Sequence, residues 1–237
     1  MSSPGSTSVH TAAARNNAEW CAAVCRSHGI PTIFSETAWH SAHRTPLYYP
    51  DAVTLRPDAG DFLHELDTAS PGCSIKDSFA TLDLTSDGFV EVFTAQWIHR
   101  PAGLSTPRPS APRAERVSTA AHLRDWQAAW RDDEDTPDVF RPALLADPSV
   151  LVLAVHEGKD LCGGMILNRG AGLVGVSNLF AVDGGDTSAV WTCALTAAAD
   201  HFPWLPLVGY ERGDDLAPAL ANGFTVLGPL RVWLHRP

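Results

Sequence analysis

The sequence predicts an α/β (α+β) fold: a mixed, mostly antiparallel sheet flanked by helices, built in two regions. Three observations carry this. Stretches with the two-residue period of strands alternate along the chain with stretches of helical period. Three strand-like runs, Val150 to His156, Leu161 to Asn168 and Leu173 to Val182, are joined only by Glu157-Gly158-Lys159-Asp160 and Arg169-Gly170-Ala171-Gly172, connections short enough to demand an antiparallel meander. Residues 101 to 114 hold four prolines, a density that excludes a regular element and marks a linker between the two regions.

Along the chain, residues 1 to 14 are rich in Ser, Thr and Ala and read as a disordered tail. The first ordered region, 15 to 100, opens with a helix through Ala18 to Cys25, stopped at Gly29-Ile30-Pro31. Ala52 to Leu55 and Ser78 to Leu84 read as strands, with a helix over Asp58 to Thr68 between them. Ser86-Asp87-Gly88 reads as a hairpin turn into a strand from Phe89 to Ile98. This order of strand, helix, strand and hairpin makes the N-terminal lobe a candidate degenerate half-copy of the fold that follows.

After the linker, Ser118 or Thr119 caps a helix through Arg131, with Leu123, Trp126 and Trp130 on one face. The acidic run Asp132 to Asp138 reads as a solvated loop, and the meander follows. A helix from Thr187 to Phe202 stops at Pro203, and a strand runs from Leu205 to Tyr210. A short helix fits Leu216 to Asn222, with Asp215 as its cap and Gly223 as its left-handed stop. Two last strands, Thr225 to Leu227 and Leu230 to Leu234, turn at Gly228-Pro229.

Composition bounds the function. A chain of 237 residues with 45% apolar and 19% charged residues folds around a core. The net charge of −10, with Lys76 and Lys159 the only lysines, argues against nucleic acid as partner. Arginine supplies the other cations, so a phosphate-bearing ligand stays open. The absence of an 18-residue apolar run predicts no membrane span, and the polar stretch Met1 to His10 does not read as a secretory leader. Five cysteines without framework spacing read as reduced thiols, hence a cytoplasmic location.

The order helix, three-strand meander, helix, strand, short helix, two strands over residues 115 to 237 resembles the core of the GNAT superfamily of N-acetyltransferases. The local match is strongest at Leu216-Ala217-Pro218-Ala219-Leu220-Ala221-Asn222-Gly223-Phe224, which is similar to that family's last helix and its Gly-Phe exit. The resemblance implies acetyl-CoA or another acyl-CoA as co-substrate and a small-molecule amine as acceptor; a homodimer is a further candidate assembly. The resemblance also implies that the third meander strand splays from the strand after the next helix, and that the cofactor arm lies in the gap. Its pyrophosphate would sit on the helix N-terminus, where free N–H groups and the helix dipole attract anions. The matching residues are Asn178, Phe180, Ala181 and Val182 on the strand and Gly184, Gly185, Asp186, Thr187 and Ser188 in the loop and first turn. Tyr210 and Glu211, at the end of the following strand, would face the acyl group, with Glu211 as the base for the acceptor ammonium.

The chain departs from that pattern twice. The family loop reads Gln/Arg-x-x-Gly-x-Gly/Ala; here there is no Gln or Arg, and Asp183 and Asp186 stand in the loop. Many members carry a Tyr four residues before the Gly of the Gly-Phe exit as acid for the departing thiolate, and here that position is Ala219. Two further readings therefore stand beside an acyl-CoA enzyme. One is a GNAT-like binding module that has lost CoA. The other is an acyltransferase fed by a carrier-protein or aminoacyl-tRNA donor.

Other chemistry is thinner. Gly175-Val176-Ser177-Asn178-Leu179 fails the nucleophile-elbow pattern at its last position, and no phosphate-binding or zinc-helix motif occurs. Cys21 and Cys25 are one helical turn apart, the spacing of buried helix thiols and, less often, of two metal ligands. Cys73 with Lys76 reads as part of an ordinary exposed loop and, less often, as a thiol that the adjacent Lys76 could activate. Trp97-Ile98-His99-Arg100 is a candidate wall of the acceptor pocket or a packing surface between the regions.

Overall fold

A computed structural model describes residues 4–106, 112–131, 136–182 and 184–236. The elements are α1 (Pro4–Ser27), β1 (Ile33–Phe34), β2 (Ala38–His40), β3 (Ala52–Thr54), β4 (Ser74–Asp77), β5 (Phe89–Arg100), β6 (Arg113–Arg116), α2 (Ala120–Trp130), β7 (Val150–Glu157), β8 (Asp160–Gly170), β9 (Leu173–Ala181), α3 (Thr187–His201), β10 (Leu207–Glu211), α4 (Leu216–Ala221) and β11 (Thr225–His235). The described strands form one sheet in the order β1-β2-β3-β4-β11-β5-β10-β9-β8-β7-β6. It is mostly antiparallel; the parallel pairs are β3 with β4 and β9 with β10.

Both faces of the sheet are covered, and β7 shows how. Its alternate residues Val150, Val152 and Ala154 pack with Trp20 and Val24 of α1 and Leu123 and Trp126 of α2. The residues between them, Leu151, Leu153 and Val155, pack with Val190, Trp191 and Leu195 of α3. A strand buried on both sides reads as a continuous apolar run, as Val150 to Val155 does. The expected meander, α2 with its Thr119 cap on His122 N–H at 3.2 Å, and α3 all form. Gly223 takes the left-handed stop after α4 at φ 84°, and the Phe224 N–H reaches back to the Ala219 carbonyl at 3.3 Å.

The N-terminal tail is corrected. From Pro4 onward the chain is helical, and Ala13 and Ala14 are fully buried; residues 1 to 3 lie outside the described set. Ala13 packs with Trp97, Leu173 and Val208 of the sheet. Asn16 Nδ2 donates to the carbonyls of Asn168, Gly170 and Leu173 at 3.4, 3.0 and 3.5 Å, and Asn168 Nδ2 returns a bond to the Asn16 carbonyl at 3.3 Å. A Cβ at Gly175 would collide with the amide oxygens of both asparagines.

Four more expectations change. Asp58 to Thr68 contains only a 3-10 turn at Leu63–Glu65, and the segment buries Ala59, Phe62 and Leu66 against the core without the continuous backbone ladder of a helix. The strand lies at Ser74–Asp77 instead of Ser78 to Leu84; the Asp77 carboxylate accepts from Phe79 N–H at 3.3 Å and Leu82 N–H at 2.9 Å and closes a turn there. The linker's last residues join the sheet as β6, while 107 to 111 lie outside the described residues, as do 132 to 135 of the acidic run. Thr225 to Leu234 is one strand and not two: the register with β5 shifts between Val226 and Gly228, so Gly228-Pro229 is a bulge, a place where a strand tolerates proline.

β5 decides how the two regions relate. The turn before it forms, with Gly88 at φ 83°, but β5 pairs with β11 on one side and β10 on the other. The last strand of the first region thus stands at the centre of the sheet. Trp97 on it is buried, donates to the Ser78 carbonyl at 2.8 Å and meets the Tyr210 ring edge-on at 5.5 Å between centroids.

Candidate active site

The site begins with a gap in the sheet. β9 and β10 pair only at Val174–Leu207 and Gly175–Val208, although both strands run on past that point. The cause is a bulge in β9. Gly164 faces Phe180 and Ile166 faces Ser177, so Met165 alone opposes Asn178 and Leu179. Asn178 takes φ 51°, a left-handed conformation that asparagine tolerates far better than a β-branched residue. A bulge bends its strand and increases its twist, which carries β9 away from β10.

A cavity of about 270 Å³ fills the gap. β9 contributes Val176, Ser177, Asn178 and Leu179, and β10 contributes Tyr210 and Glu211. Successive strand residues face opposite sides of a sheet, so a cavity lined by both Tyr210 and Glu211 passes through the opening between the strands. The remaining wall comes from the first region: Asn17, Trp20 and Cys21 of α1, Lys76 of β4, and Tyr48, Tyr49 and Pro50 from the loop before β3. The buried Asp51 holds that loop. It pairs with Arg44 and accepts from Thr45 N–H at 3.0 Å and Ser74 N–H at 2.8 Å, while Arg44 also donates to the Asp67 and Ser70 carbonyls at 2.6 and 2.8 Å. A larger chamber of about 710 Å³ adjoins the first, sharing Tyr48, Tyr49, Pro50, Lys76 and Tyr210 as wall, and its far side is apolar.

Glu211, Asn178 and Lys76 give the cavity its polar character. Burial, and then the negative charge of Asp215, push the Glu211 carboxyl up to about 8. It can therefore hold or take a proton near neutrality, as a general base must. Asn178 Nδ2 donates to Tyr49 Oη at 3.4 Å and to Ser177 Oγ at 3.1 Å. Burial holds the Tyr49 phenol well above its ordinary value, so it stays a neutral hydroxyl. Lys76 Nζ donates to Asn17 Oδ1 at 2.8 Å and Tyr210 Oη at 3.1 Å, and lies 4.3 Å from the Tyr210 ring centroid. Cys21 is fully buried and its thiol is pushed up to about 11 by burial, so it is not poised as a nucleophile.

The structure brings Asn178, Tyr210 and Glu211 to one cavity and leaves the other expected residues apart from it. Phe180 packs edge-on against Trp126 at 5.2 Å between centroids, and Val182 N–H bonds to the Cys162 carbonyl at 2.8 Å, so Phe180 and Ala181 at the end of β9, and Val182 just after it, lie beyond the cavity. In the loop, Gly184 is left-handed at φ 72°, and Gly185 N–H donates to the Val182 carbonyl at 2.7 Å. Asp186 caps α3, its Oδ1 accepting from Ser188 N–H at 2.8 Å and Ala189 N–H at 3.2 Å. Thr187 and Ser188 form the first turn; Asp183 lies outside the described residues. A nucleotide pyrophosphate fits this end only in part. The backbone N–H groups of Asp186 and Thr187 have no partner among the described residues, but a carboxylate already occupies the helix N-terminus.

Cys73 is corrected: it is fully buried, and burial raises its thiol, so it is neither exposed nor activated by Lys76, whose amine turns to the cavity. The residues missed from the sequence are Lys76 as a cavity group, Asn17, Trp20, Tyr48 and Tyr49. The signal for Lys76 was its rarity, since a chain with two lysines has buried one of them.

Comparison with known proteins places the fold. No family profile and no curated protein matches the sequence. Among solved structures, a GCN5-related N-acetyltransferase from Kribbella flavida superposes with a TM-score of 0.65 at 14% identity, covering 93% of this chain and 95% of that one. An acetyltransferase of the GNAT family from Novosphingobium aromaticivorans gives a TM-score of 0.58 at 12% identity, over 90% of this chain and 97% of its own. A Drosophila protein gives 0.58 at 13% identity, over 93% of this chain and 88% of its own. The chain therefore has the GNAT fold, and the likeness spans both regions and not the second alone. No helix among the described residues is long and apolar enough to cross a membrane.

Proposed function

We propose that the protein is an N-acyltransferase that moves an acetyl or other acyl group from an acyl-CoA thioester to the amine of a small molecule. The observation that carries this is the open cavity at the parting of β9 and β10, with Glu211 on its wall. A scaffold kept only for its shape would have that gap filled by side chains.

In this reading the thioester end of the donor lies along β9 past Gly175. The pairing of β9 with β10 ends at Gly175, and N–H groups left without a ladder partner beyond it would serve the carbonyl oxygen as charge develops. Glu211 takes the proton of the acceptor ammonium, directly or through one water. The amine lone pair then forms the C–N bond, the C–S bond breaks, and the thiolate leaves and is protonated. Ala219 is buried in α4 and offers no acid; in this reading Tyr210, the phenol on the strand that also carries Glu211, gives that proton. Titration calorimetry with acetyl-CoA, paired with release of free thiol in the presence of a panel of amines, tests the function. Binding with thiol release is expected; no heat at millimolar ligand and no thiol released would overturn it.

A second reading keeps the chemistry and changes the donor. Asp186 on α3 favours a thioester whose recognition does not run through phosphates at that helix, such as a carrier-protein arm. Comparable turnover with acetyl-CoA and with a nucleotide-free pantetheine thioester would support it.

A further inference from the structure

We propose that the acceptor is an amino acid with a large apolar side chain, and that Lys76 reads its carboxylate; this rests on the acyltransferase reading above. The first reason is electrostatic. Lys76 is 4% exposed, yet its two hydrogen-bond partners, Asn17 Oδ1 and Tyr210 Oη, are both neutral. None of the ion pairs among the described residues involves it. An ammonium has three donors, so one N–H remains, and the charge meets only neutral acceptors and the face of the Tyr210 ring, with no anion beside it. A buried unpaired charge is costly, and the same lobe shows the usual remedy, with Arg44 paired to the buried carboxylate of Asp51. At Lys76 the missing anion has a place to come from, because the amine lines both chambers.

The second reason is the layout of those chambers. Glu211 lies on the smaller one, at the opening between β9 and β10 where an acyl thioester is reached. Lys76, with Tyr210 and Tyr49, stands where the two chambers meet. Beyond it the larger chamber is walled by Pro46, Leu47, Val92, Phe93, Val232 and Leu234. A ligand that satisfies all three zones has an amine at Glu211, an anion a few bonds away on Lys76, and an apolar group in the far chamber. An α-amino acid with an aromatic or branched aliphatic side chain meets that description. A polyamine or an aminoglycoside does not, since it would bring positive charge to Lys76 and polar surface to the apolar wall.

The test compares phenylalanine and leucine with the amines left when their carboxylate is removed, phenethylamine and isoamylamine. Two readouts are used: equilibrium binding to the full chain by calorimetry, and thiol release from acetyl-CoA. For the wild-type protein we expect the amino acids to bind about 10- to 100-fold more tightly than the amines, the span of a charge-assisted hydrogen bond in a buried site. In Lys76→Met that ratio falls to within about threefold of one, and in Lys76→Arg part of it returns. Thermal unfolding of each variant establishes that it folds. Wild-type protein that binds the amines as well as the amino acids overturns the inference, whatever the variants do. So does a Lys76→Met protein that keeps the full preference. Selective binding without thiol release leaves the carboxylate site standing and counts instead against the acyl-transfer reading.

Discussion

The opening between β9 and β10 and the N-terminal turn of α3 are the two places that the proposed acyl-CoA donor would have to touch, and they are built differently. At the first, a left-handed Asn178 bends β9 and leaves a cavity. At the second, Asp186 folds back on Ser188 and Ala189 N–H and supplies the negative charge that a ligand phosphate would otherwise bring. A single feature of a fold family is weak ground for function, because the thioester end and the nucleotide end of a donor are held by separate devices. Here the opening proposed for the thioester holds a cavity, and the helix turn proposed for the phosphates carries its own anion.

The largest effect should come from the open end. Glu211→Gln is expected to lower kcat/KM by about 10²- to 10⁴-fold, the usual contribution of a positioned base. The wild-type rate should rise with pH and level off above about 8, where Glu211 is ionised, and the variant should lose that limb. The same residue affects stability. Its carboxyl is raised from 4.5 to about 8 in the fold. Its contribution is thus fully present below 4.5 and is lost as pH rises toward 8, because the unfolded chain ionises first. Glu211→Gln should therefore unfold at a higher temperature than wild type at pH 8 and at a similar one at pH 4, read by circular dichroism. Equal unfolding temperatures at both pH values would mean that Glu211 is not desolvated.

The bulge is the next target. Asn178→Val places a β-branched residue at positive φ, which costs about 1–3 kcal/mol, and it also removes the bond to Tyr49. We expect about a tenfold loss of turnover, while Asn178→Gly keeps the backbone and most of the activity. If Val and Gly behave alike, the geometry of the bulge does not govern the opening.

Why parts of this were legible follows from distance along the chain. The meander, α3 and the Gly223 stop are written in local periodicity and turn chemistry, and Asn178, Tyr210 and Glu211 sit at the ends of strands that such patterns locate. Lys76 reaches Asn17 across 59 positions and Tyr210 across 134, and no local pattern encodes those meetings. The helical start of α1 was hidden for a related reason. Ala13 and Ala14 add little to an apolar stripe in the sequence, yet both are fully buried, Ala13 packing with Trp97 and Leu173. The bulge at Gly228-Pro229 looked like a turn because glycine and proline mark both, and only the register with β5 separates them.

The α3 end carries a smaller prediction. Asp186→Asn keeps a side-chain oxygen for the cap and removes the charge, so it should cost only a few tenths of a kcal/mol in stability. If a nucleotide pyrophosphate approaches this turn, the variant should bind acetyl-CoA about 3- to 10-fold more tightly, with no change for a nucleotide-free pantetheine thioester. Equal affinities for acetyl-CoA in variant and wild type would place the phosphates elsewhere and sharpen the contrast between the two ends.

The smallest expected effect tests how the open end is tuned. Asp215 is exposed and is the second cause, after burial, of the raised Glu211 carboxyl. Because it makes no side-chain cap bond to α4, its charge can be removed with little structural consequence. Asp215→Asn should move the rising limb of the pH–rate profile to lower pH by a fraction of a unit, and added salt should shrink the difference, since an exposed charge is screened. A limb that does not move would leave burial alone as the source of Glu211's basicity. In that case the walls of the gap between β9 and β10, and not the acidic turn ahead of α4, set the pH at which the site can take a proton.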